Sequence, residues 1–362
     1  MTATETPRLD EPTQVIGRLG VIDRLLPVWI GAAMVLGLGL GRLIPGLNST
    51  LDAVKLDTVS LPIAVGLLAM MYPVLAKVRY DRLGDVTRDR RLLVPSLVLN
   101  WVVGPALMFG LAWAFLPDLP AYRTGLIIVG LARCIAMVLI WNDLAGGDRE
   151  AAAVLVALNS LFQIAAYSLL GYFYLEVLPR WLGLGTQSLH VGLWTIARMV
   201  LIFLGVPLAA GYATRRVAVA RRGEDWYTSR FLPRVSPVAL WGLLFTVVVL
   251  FALQGHKITH QPFDVARIAV PLLVYFALMW GASFALGLRL RLGYRRTTTL
   301  AFTAAGNNFE LAIAVCIGVF GVTSGEALAG VVGPLIEVPT LVGLVWVARW
   351  AQRRFYPQEV VS

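Results

Sequence analysis

Long runs of apolar residues alternate with short polar connections along almost the whole chain. The runs are continuous, without the period-two alternation of a membrane strand, and a bilayer core of roughly 30 Å is crossed by about 20 helical residues. The pattern therefore predicts an all-α polytopic membrane protein with ten transmembrane helices. The predicted spans are residues 22–43, 58–76, 92–115, 122–143, 150–174, 190–212, 232–253, 264–288, 297–320 and 325–348.

The composition agrees with this pattern, since 58% of the residues are apolar and only 14% are charged. Such values lie outside the range of ordinary water-soluble domains. The two cysteines cannot form a disulfide framework. Residues 1–20 carry Thr, Glu, Asp and Pro ahead of any apolar run, so we expect a polar tail there and no cleaved signal peptide.

Basic residues concentrate in the connections after the second, sixth, eighth and tenth spans, within residues 77–91, 215–230, 289–296 and 349–354. Lys and Arg are held on the cytoplasmic side of a membrane. The pattern predicts a multi-pass protein of the cytoplasmic (inner) membrane with both termini in the cytoplasm. This topology and contact with lipid headgroups account for the net charge of +10, so no nucleic-acid partner is required. The sequence indicates no obligate protein partner.

The fourth and ninth predicted spans share an irregularity. Each has small residues followed by a polar pair, Arg133-Cys134 in "GLARCIAMVL" and Asn307-Asn308 in "AAGNNFELAI". Ten spans divide into two sets of five, and five helices reverse the orientation of the sixth, so two related halves would be inverted. The predicted organisation is a cytoplasmic tail at 1–20, five-helix repeats at 21–176 and 177–350, and a cytoplasmic tail at 351–362.

Polar groups at membrane depth are costly, at roughly 2.5 to 3.5 kcal/mol for a central charged residue, so they line a cavity or bind a partner. Helices broken at the two polar pairs would release backbone groups that a bound solute can satisfy. We predict that the two breaks cross at the bilayer midplane and form one site. The candidate binding residues are Cys134, Asn307, Asn308 and Glu310, and the candidate supporting residues are Arg133, Asn142, Asn159, Gln163 and Glu337.

Structural roles for these residues stay open at this point. A lone membrane cysteine is usually a small packing residue, so Cys134 needs no chemical role on this ground alone. Glu310 could serve as an ion-pair partner for Arg133 or Arg198. Glu337 could bond backbone amides that neighbouring prolines set free.

Enzyme chemistry finds little support in the sequence. His190, His256 and His260 lie at or beyond the ends of predicted spans, so Cys134 has no histidine base nearby. No HExxH, GxSxG, CxxC or phosphate-binding glycine loop occurs in the context that it requires. The sequence therefore predicts a protein that is not an enzyme and that has no cofactor or resident metal.

Three stretches are long and specific enough to carry a family resemblance: "RCIAMVLIWNDLAGGDREAAAVLVALNSLFQI" (133–164), "TAAGNNFELAIAV" (303–315) and "GEALAGVVGPLIEVPTLV" (325–342). They resemble the signature stretches of the arsenical-resistance-3 family of arsenite efflux permeases, within the bile acid/arsenite/riboflavin transporter superfamily. The resemblance implies a panel domain of spans one, two, six and seven that moves against a core domain with crossed, discontinuous spans four and nine. It places the family's required cysteine at Cys134 and its required glutamate at Glu310.

The function that this resemblance implies is arsenite efflux, with antimonite left open as a second substrate. Trivalent arsenic is thiophilic, and a single thiol at Cys134 beside Asn307 and Asn308 offers selectivity with release. Whether Arg133 or burial governs the ionisation of the thiol stays open. Arsenous acid is neutral at pH 7, so the proton-motive force can expel it only in exchange for a charge, and Glu310 is the candidate proton carrier. The prediction is a secondary arsenite/proton antiporter that confers arsenic resistance.

Two alternatives remain. One is a sodium-coupled symporter of organic anions of the bile-acid type, in which Glu310, Asn159 and Gln163 bind sodium and Cys134 is incidental. The other is the membrane subunit of a larger pump or sensor that works with a soluble ATPase, because the chain itself has no nucleotide-binding motif.

Overall fold

A computed structural model describes residues 26–44, 46–47, 55–56, 59–78, 89–184 and 192–358. The predicted N-terminal tail, the end of the predicted C-terminal tail and much of the basic connection at 77–91 lie outside these ranges. The starts of the first and sixth predicted spans, and His190, also lie outside them.

The described chain is built almost entirely from helices. They are α1 (Leu26–Leu43), α2 (Leu61–Ala76), α3 (Arg90–Phe115), α4 (Pro120–Leu131), α5 (Met137–Ala145), α6 (Arg149–Trp181), α7 (Leu193–Arg222), α8 (Glu224–Gly255, with helix continuing to His260), α9 (Pro262–Arg289), α10 (Tyr294–Ala305), α11 (Phe309–Phe320) and α12 (Gly325–Phe355). A short antiparallel pair, β1 (Lys55–Leu56) with β2 (Val59–Ser60), precedes α2 and was not predicted.

Each predicted span coincides with one of these helices, except the fourth and ninth, which coincide with two each. Six helices of the described chain, α3, α6, α7, α8, α9 and α12, are long and apolar enough to cross a membrane alone. The helices α1, α2 and α11 are apolar but shorter. The fold class of an all-α polytopic membrane protein is therefore confirmed, whereas the count of ten spans stays a prediction.

Four of the long helices contain a π-helical turn within the described residues, and sequence explains where. The turns are Leu99–Val103 in α3, Phe173–Val177 in α6, Leu201–Gly205 in α7 and Tyr227–Phe231 in α8. A proline follows two residues after each turn. The ring of a proline crowds the carbonyl four residues before it, and here that carbonyl always lies in the π turn. The wider turn relieves this clash while the helix continues.

The two segments with polar pairs are interrupted where the sequence predicts interruption. Residues 132–136 separate α4 from α5, and residues 306–308 separate α10 from α11. The chain becomes extended at Ala132 (φ −85°, ψ 123°) and again at Gly306 (φ −71°, ψ 140°). The Asn308 side chain then caps α11 by accepting from the Leu311 amide at 3.0 Å.

Packing divides the helices into two groups. Helix α8 packs against α1 and α2, and α2 also packs against the C-terminal half of α7. The broken segments lie in the other group, where α3, α6, α9 and α12 pack around α4, α5, α10 and α11. Most residues of α4, α10 and α11 are buried as a result. The polar breaks are therefore enclosed by protein.

Candidate functional site

The two breaks pair with each other as a short antiparallel bridge between Arg133 and Asn307. The Cys134 amide donates to the Gly306 carbonyl at 3.1 Å, and the Asn308 amide donates to the Ala132 carbonyl at 3.1 Å. Each break thus satisfies backbone groups that the other one leaves free, as a buried backbone requires.

Two side chains, one from α6 and one from α12, complete this arrangement. The Arg133 amide donates to Oε1 of Gln163 in α6 at 3.0 Å, and the Asn307 amide donates to Oε1 of Glu337 in α12 at 3.2 Å. Each acceptor lies 30 residues beyond its donor along the chain. Gln163 and Glu337, both predicted as supporting residues, are therefore equivalent anchors of the two breaks.

The Cys134 thiol lies in the first break, three residues before α5 begins, and is free. Only 5% of the residue is exposed, and its Sγ accepts from the Val138 amide at 3.4 Å. Gly306 makes this position possible, because a Cβ on Gly306 would lie 3.0 Å from Cβ of Cys134 and 3.7 Å from its Sγ. The structure therefore brings the predicted thiol into contact with the second break.

The amide side chains at the crossing retain unused hydrogen-bonding capacity. Asn307 and Asn308 are both buried. Within the described chain, Nδ2 and Oδ1 of Asn307, Nδ2 of Asn308 and Nε2 of Gln163 have no hydrogen-bond partner. Buried polar atoms are normally paired, so such a group beside a thiol favours binding of a small polar solute.

Glu310 lies in the first turn of α11 and is half-buried. A carboxylate is favoured there by the positive end of the helix dipole. It lies three residues beyond Asn307, whose amide donates to Glu337 and which pairs with the break that carries Cys134. The two carboxyl groups and the thiol thus belong to one cluster at the crossing.

Arg133 is fully buried, but its guanidinium lies outside this cluster. It donates to Oη of Tyr275 in α9 at 2.7 Å, to the Ala304 carbonyl at 3.5 Å and to the Gly130 carbonyl. Gly104 in α3 leaves room for it, since a Cβ there would lie 2.7 Å from Nη1. Among the described residues no carboxylate forms an ion pair with Arg133. The expectation that Glu310 could be the ion-pair partner of Arg133 is therefore wrong. Sequence reasoning missed Tyr275, whose only signal is a hydroxyl in the apolar stretch "LLVYFALMW".

The remaining predicted supporting residues lie in two places. Asn159 is one turn before Gln163 on α6, and its Oδ1 accepts from Nε1 of Trp101 at 3.3 Å. Asn142 lies near the far end of α5, where its Oδ1 accepts from Oγ1 of Thr299 at 2.8 Å. Asn159 therefore adjoins the crossing, whereas the hydrogen bonds of Asn142 tie α5 to α10.

Comparison with known proteins relates the chain to membrane transporters. The model of the sodium bile acid symporter family matches residues 64–261. The chain is 54% identical over 342 residues to the arsenical-resistance protein Acr3 of Corynebacterium glutamicum, covering 94% of this chain and 92% of the relative. It is 30% identical over 350 residues to Acr3 of Alkaliphilus metalliredigens, covering 94% and 95%. It is also 36% identical over 352 residues to an uncharacterised transporter of Synechocystis, covering 92% and 90%.

These similarities extend over nearly the full length of each protein and include both breaks. The family consists of transporters, which agrees with the expectation that the chain is not an enzyme. The chain belongs to the sodium bile acid symporter family, and within it to the arsenical-resistance-3 transporters.

Proposed function

We propose that this transporter exports arsenite across the cytoplasmic membrane in exchange for protons and so confers arsenic resistance. The observation that carries the proposal is the crossing itself, where one thiol lies beside buried amide side chains, several of whose atoms have no hydrogen-bond partner among the described residues. The names of the two Acr3 relatives support the substrate class.

The proposed architecture consists of two inverted five-helix repeats at 21–176 and 177–350, with cytoplasmic tails at 1–20 and 351–362. Its support is the equal spacing of related residues, because the same separation divides Arg133 from Asn307, Cys134 from Asn308 and Gln163 from Glu337. The group of α1, α2, α7 and α8 corresponds to the panel domain, and the enclosed broken segments correspond to the core domain. Both termini then face the cytoplasm.

In the proposed binding step the Cys134 sulfur attacks neutral arsenous acid. A sulfur–arsenic bond forms, one arsenic–oxygen bond breaks, and the thiol proton leaves with the hydroxyl group as water. The remaining arsenic hydroxyls bind to Asn307, Asn308 and Glu310. Water reverses the step on the other side of the membrane, and a single sulfur bond keeps the release feasible, since three thiolates would hold a soft ion tightly.

The proposed coupling step uses Glu310 as a proton carrier. Protons and arsenite occupy the site in alternation, so each arsenite that leaves is exchanged for inward proton movement. One proton entering is worth about 2.3 kcal/mol per 100 mV, which sustains roughly a 50-fold arsenite gradient.

Arsenite uptake into everted membrane vesicles tests the substrate and the thiol. Vesicles with wild-type protein are expected to accumulate arsenite when energised, and Cys134→Ser is expected to abolish accumulation because oxygen replaces the soft ligand. Cys316→Ser is the matched control, since Cys316 is the other buried thiol and lies within α11. Full uptake by Cys134→Ser would remove the thiol from the proposal.

Sodium-coupled symport of an organic anion is the second candidate, and the name of the matching family favours it. The same vesicles distinguish it when the pH gradient, the membrane potential and a sodium gradient are applied one at a time. Transport that follows sodium and is indifferent to Cys134 would select the symporter in place of arsenite export.

A further inference from the structure

Glu337 carries an ionisable group that its anchoring role does not require. A backbone amide needs an oxygen acceptor only, and the neutral side chain of Gln163 serves the first break in the same way. At the second break the acceptor is the carboxyl group of Glu337, a residue that is 3% exposed. Within the described chain no Arg, Lys or His side chain forms an ion pair with it.

Among the described residues, the surroundings of Glu337 contain another carboxyl group but no cation that pairs with it. Glu310 in α11 lies three residues beyond Asn307, whose amide donates to Glu337, and the Cys134 thiol belongs to the break that pairs with Asn307. The Arg133 guanidinium, from that same break, is bonded to Tyr275 and to backbone carbonyls.

The other helices packed on α12 are α1, α4, α5, α8 and α9, and their charged residues lie toward the helix ends. Those whose side chains the structure describes are Arg42, Arg123, Asp143, Glu224, Asp225, Arg230, Arg234, Asp264, Arg267 and Arg289. None of them forms an ion pair with Glu337, so a proton is the compensating charge at hand.

We infer that Glu337 is a second proton-binding group of the exchange cycle, so that two protons enter for each arsenite exported. The inference rests on the proposed arsenite/proton exchange. Two carboxylates that interact in an enclosed site repel each other, and binding a proton removes the charge of each one. Protonated Glu337 is neutral, as Gln163 is, and its carbonyl oxygen still accepts from the Asn307 amide. The ionised form belongs to the arsenite-loaded site.

Two protons change the concentration ratio that the transporter can sustain. One proton supports roughly a 50-fold ratio per 100 mV, and two support about 2,500-fold. With the membrane potential clamped at zero, the ratio at which net flux stops changes about tenfold per pH unit for one proton and about a hundredfold for two.

Purified protein in liposomes provides the test. The arsenite ratio at zero net flux is measured against the pH gradient, with the potential clamped by potassium and valinomycin. We expect about a hundredfold change per pH unit for wild type and about tenfold for Glu337→Gln. Glu326→Gln is the matched control, because Glu326 is another buried glutamate of α12 outside the crossing, and it should keep the wild-type slope.

A wild-type slope of tenfold overturns the inference whatever the variant does, and so does an unchanged slope in Glu337→Gln. A wild-type ratio that does not depend on the pH gradient rejects proton exchange itself, so failure of the proposed function can be told apart from failure of the two-proton inference.

If Glu337→Gln does not transport, proton release on arsenite binding is measured with the purified proteins in detergent. Two protons from wild type and one from Glu337→Gln support the inference, and equal numbers contradict it.

Discussion

The two breaks share a backbone arrangement and differ in chemistry. Each extended segment donates one amide to the other segment and one amide to a side chain 30 residues further along the chain. The first break brings a thiol and is anchored by the neutral Gln163, whereas the second brings two asparagines and is anchored by the ionisable Glu337. The same backbone arrangement therefore holds both breaks, and the chemical differences between them are the groups to which we assign the proposed binding and coupling.

The largest expected effect on transport comes from Glu310, because the first break has no carboxyl group at the equivalent position. In the proposed repeat, the position equivalent to Glu310 is Ala136, which is 174 residues earlier in the chain. We expect Glu310→Gln to abolish uphill arsenite export, because the amide cannot carry a proton. Exchange of labelled arsenite at equal concentrations on both sides should persist, since Gln still offers hydrogen bonds. Accumulation driven by a pH gradient in Glu310→Gln would refute the assignment.

A second prediction tests whether the two anchors are equivalent. Gln163→Leu and Glu337→Leu each leave a buried backbone amide without an acceptor, at a cost of about 1–3 kcal/mol. We expect similar losses of thermal stability for the two variants in detergent, measured as melting temperature. A loss for one variant only would show that the breaks are not held alike.

The smallest expected effect lies at the periphery of the breaks. The segment that contains the first break starts near Asp118, which accepts from Arg267 at 2.8 Å, and the segment that contains the second is tied by Arg296, which donates to Asp89 at 2.7 Å. The hydrogen bond from Arg267 lowers the pKa of Asp118 from its usual 3.8 to about 2. The stabilisation is therefore complete above pH 3.8 and disappears as the pH falls through about 2.

Asp118→Asn should lower the melting temperature only slightly at neutral pH, because both partners are exposed and screened by solvent. The difference from wild type should vanish near pH 2, and Asp89→Asn provides the comparison at the other segment. A difference that grows on acidification would contradict the assigned pair.

The hydrophobic pattern predicted the helical segments closely, because the bilayer imposes length and apolarity on every span. Both interruptions, and Gln163 and Glu337 as their companions, could also be predicted, since polar residues at membrane depth need partners. Tyr275 and the position of Asn142 could not, because each depends on which helices meet in three dimensions. The bond from Cys134 to Gly306 was equally inaccessible, since it joins residues far apart in the chain.

The π turns that precede prolines affect which residues of these helices face their neighbours. Each turn inserts one residue relative to a regular α-helix, which shifts the angular phase of everything beyond it by about 100°. In α3 the turn ends just before Gly104, the residue that makes room for the Arg133 guanidinium. Deleting one residue from that turn and replacing Pro105 with a helix-forming residue would restore a regular α-helix. A residue other than Gly104 would then face the guanidinium. These prolines therefore determine how the helix beyond each turn is rotated, and so which of its residues face lipid and which face protein.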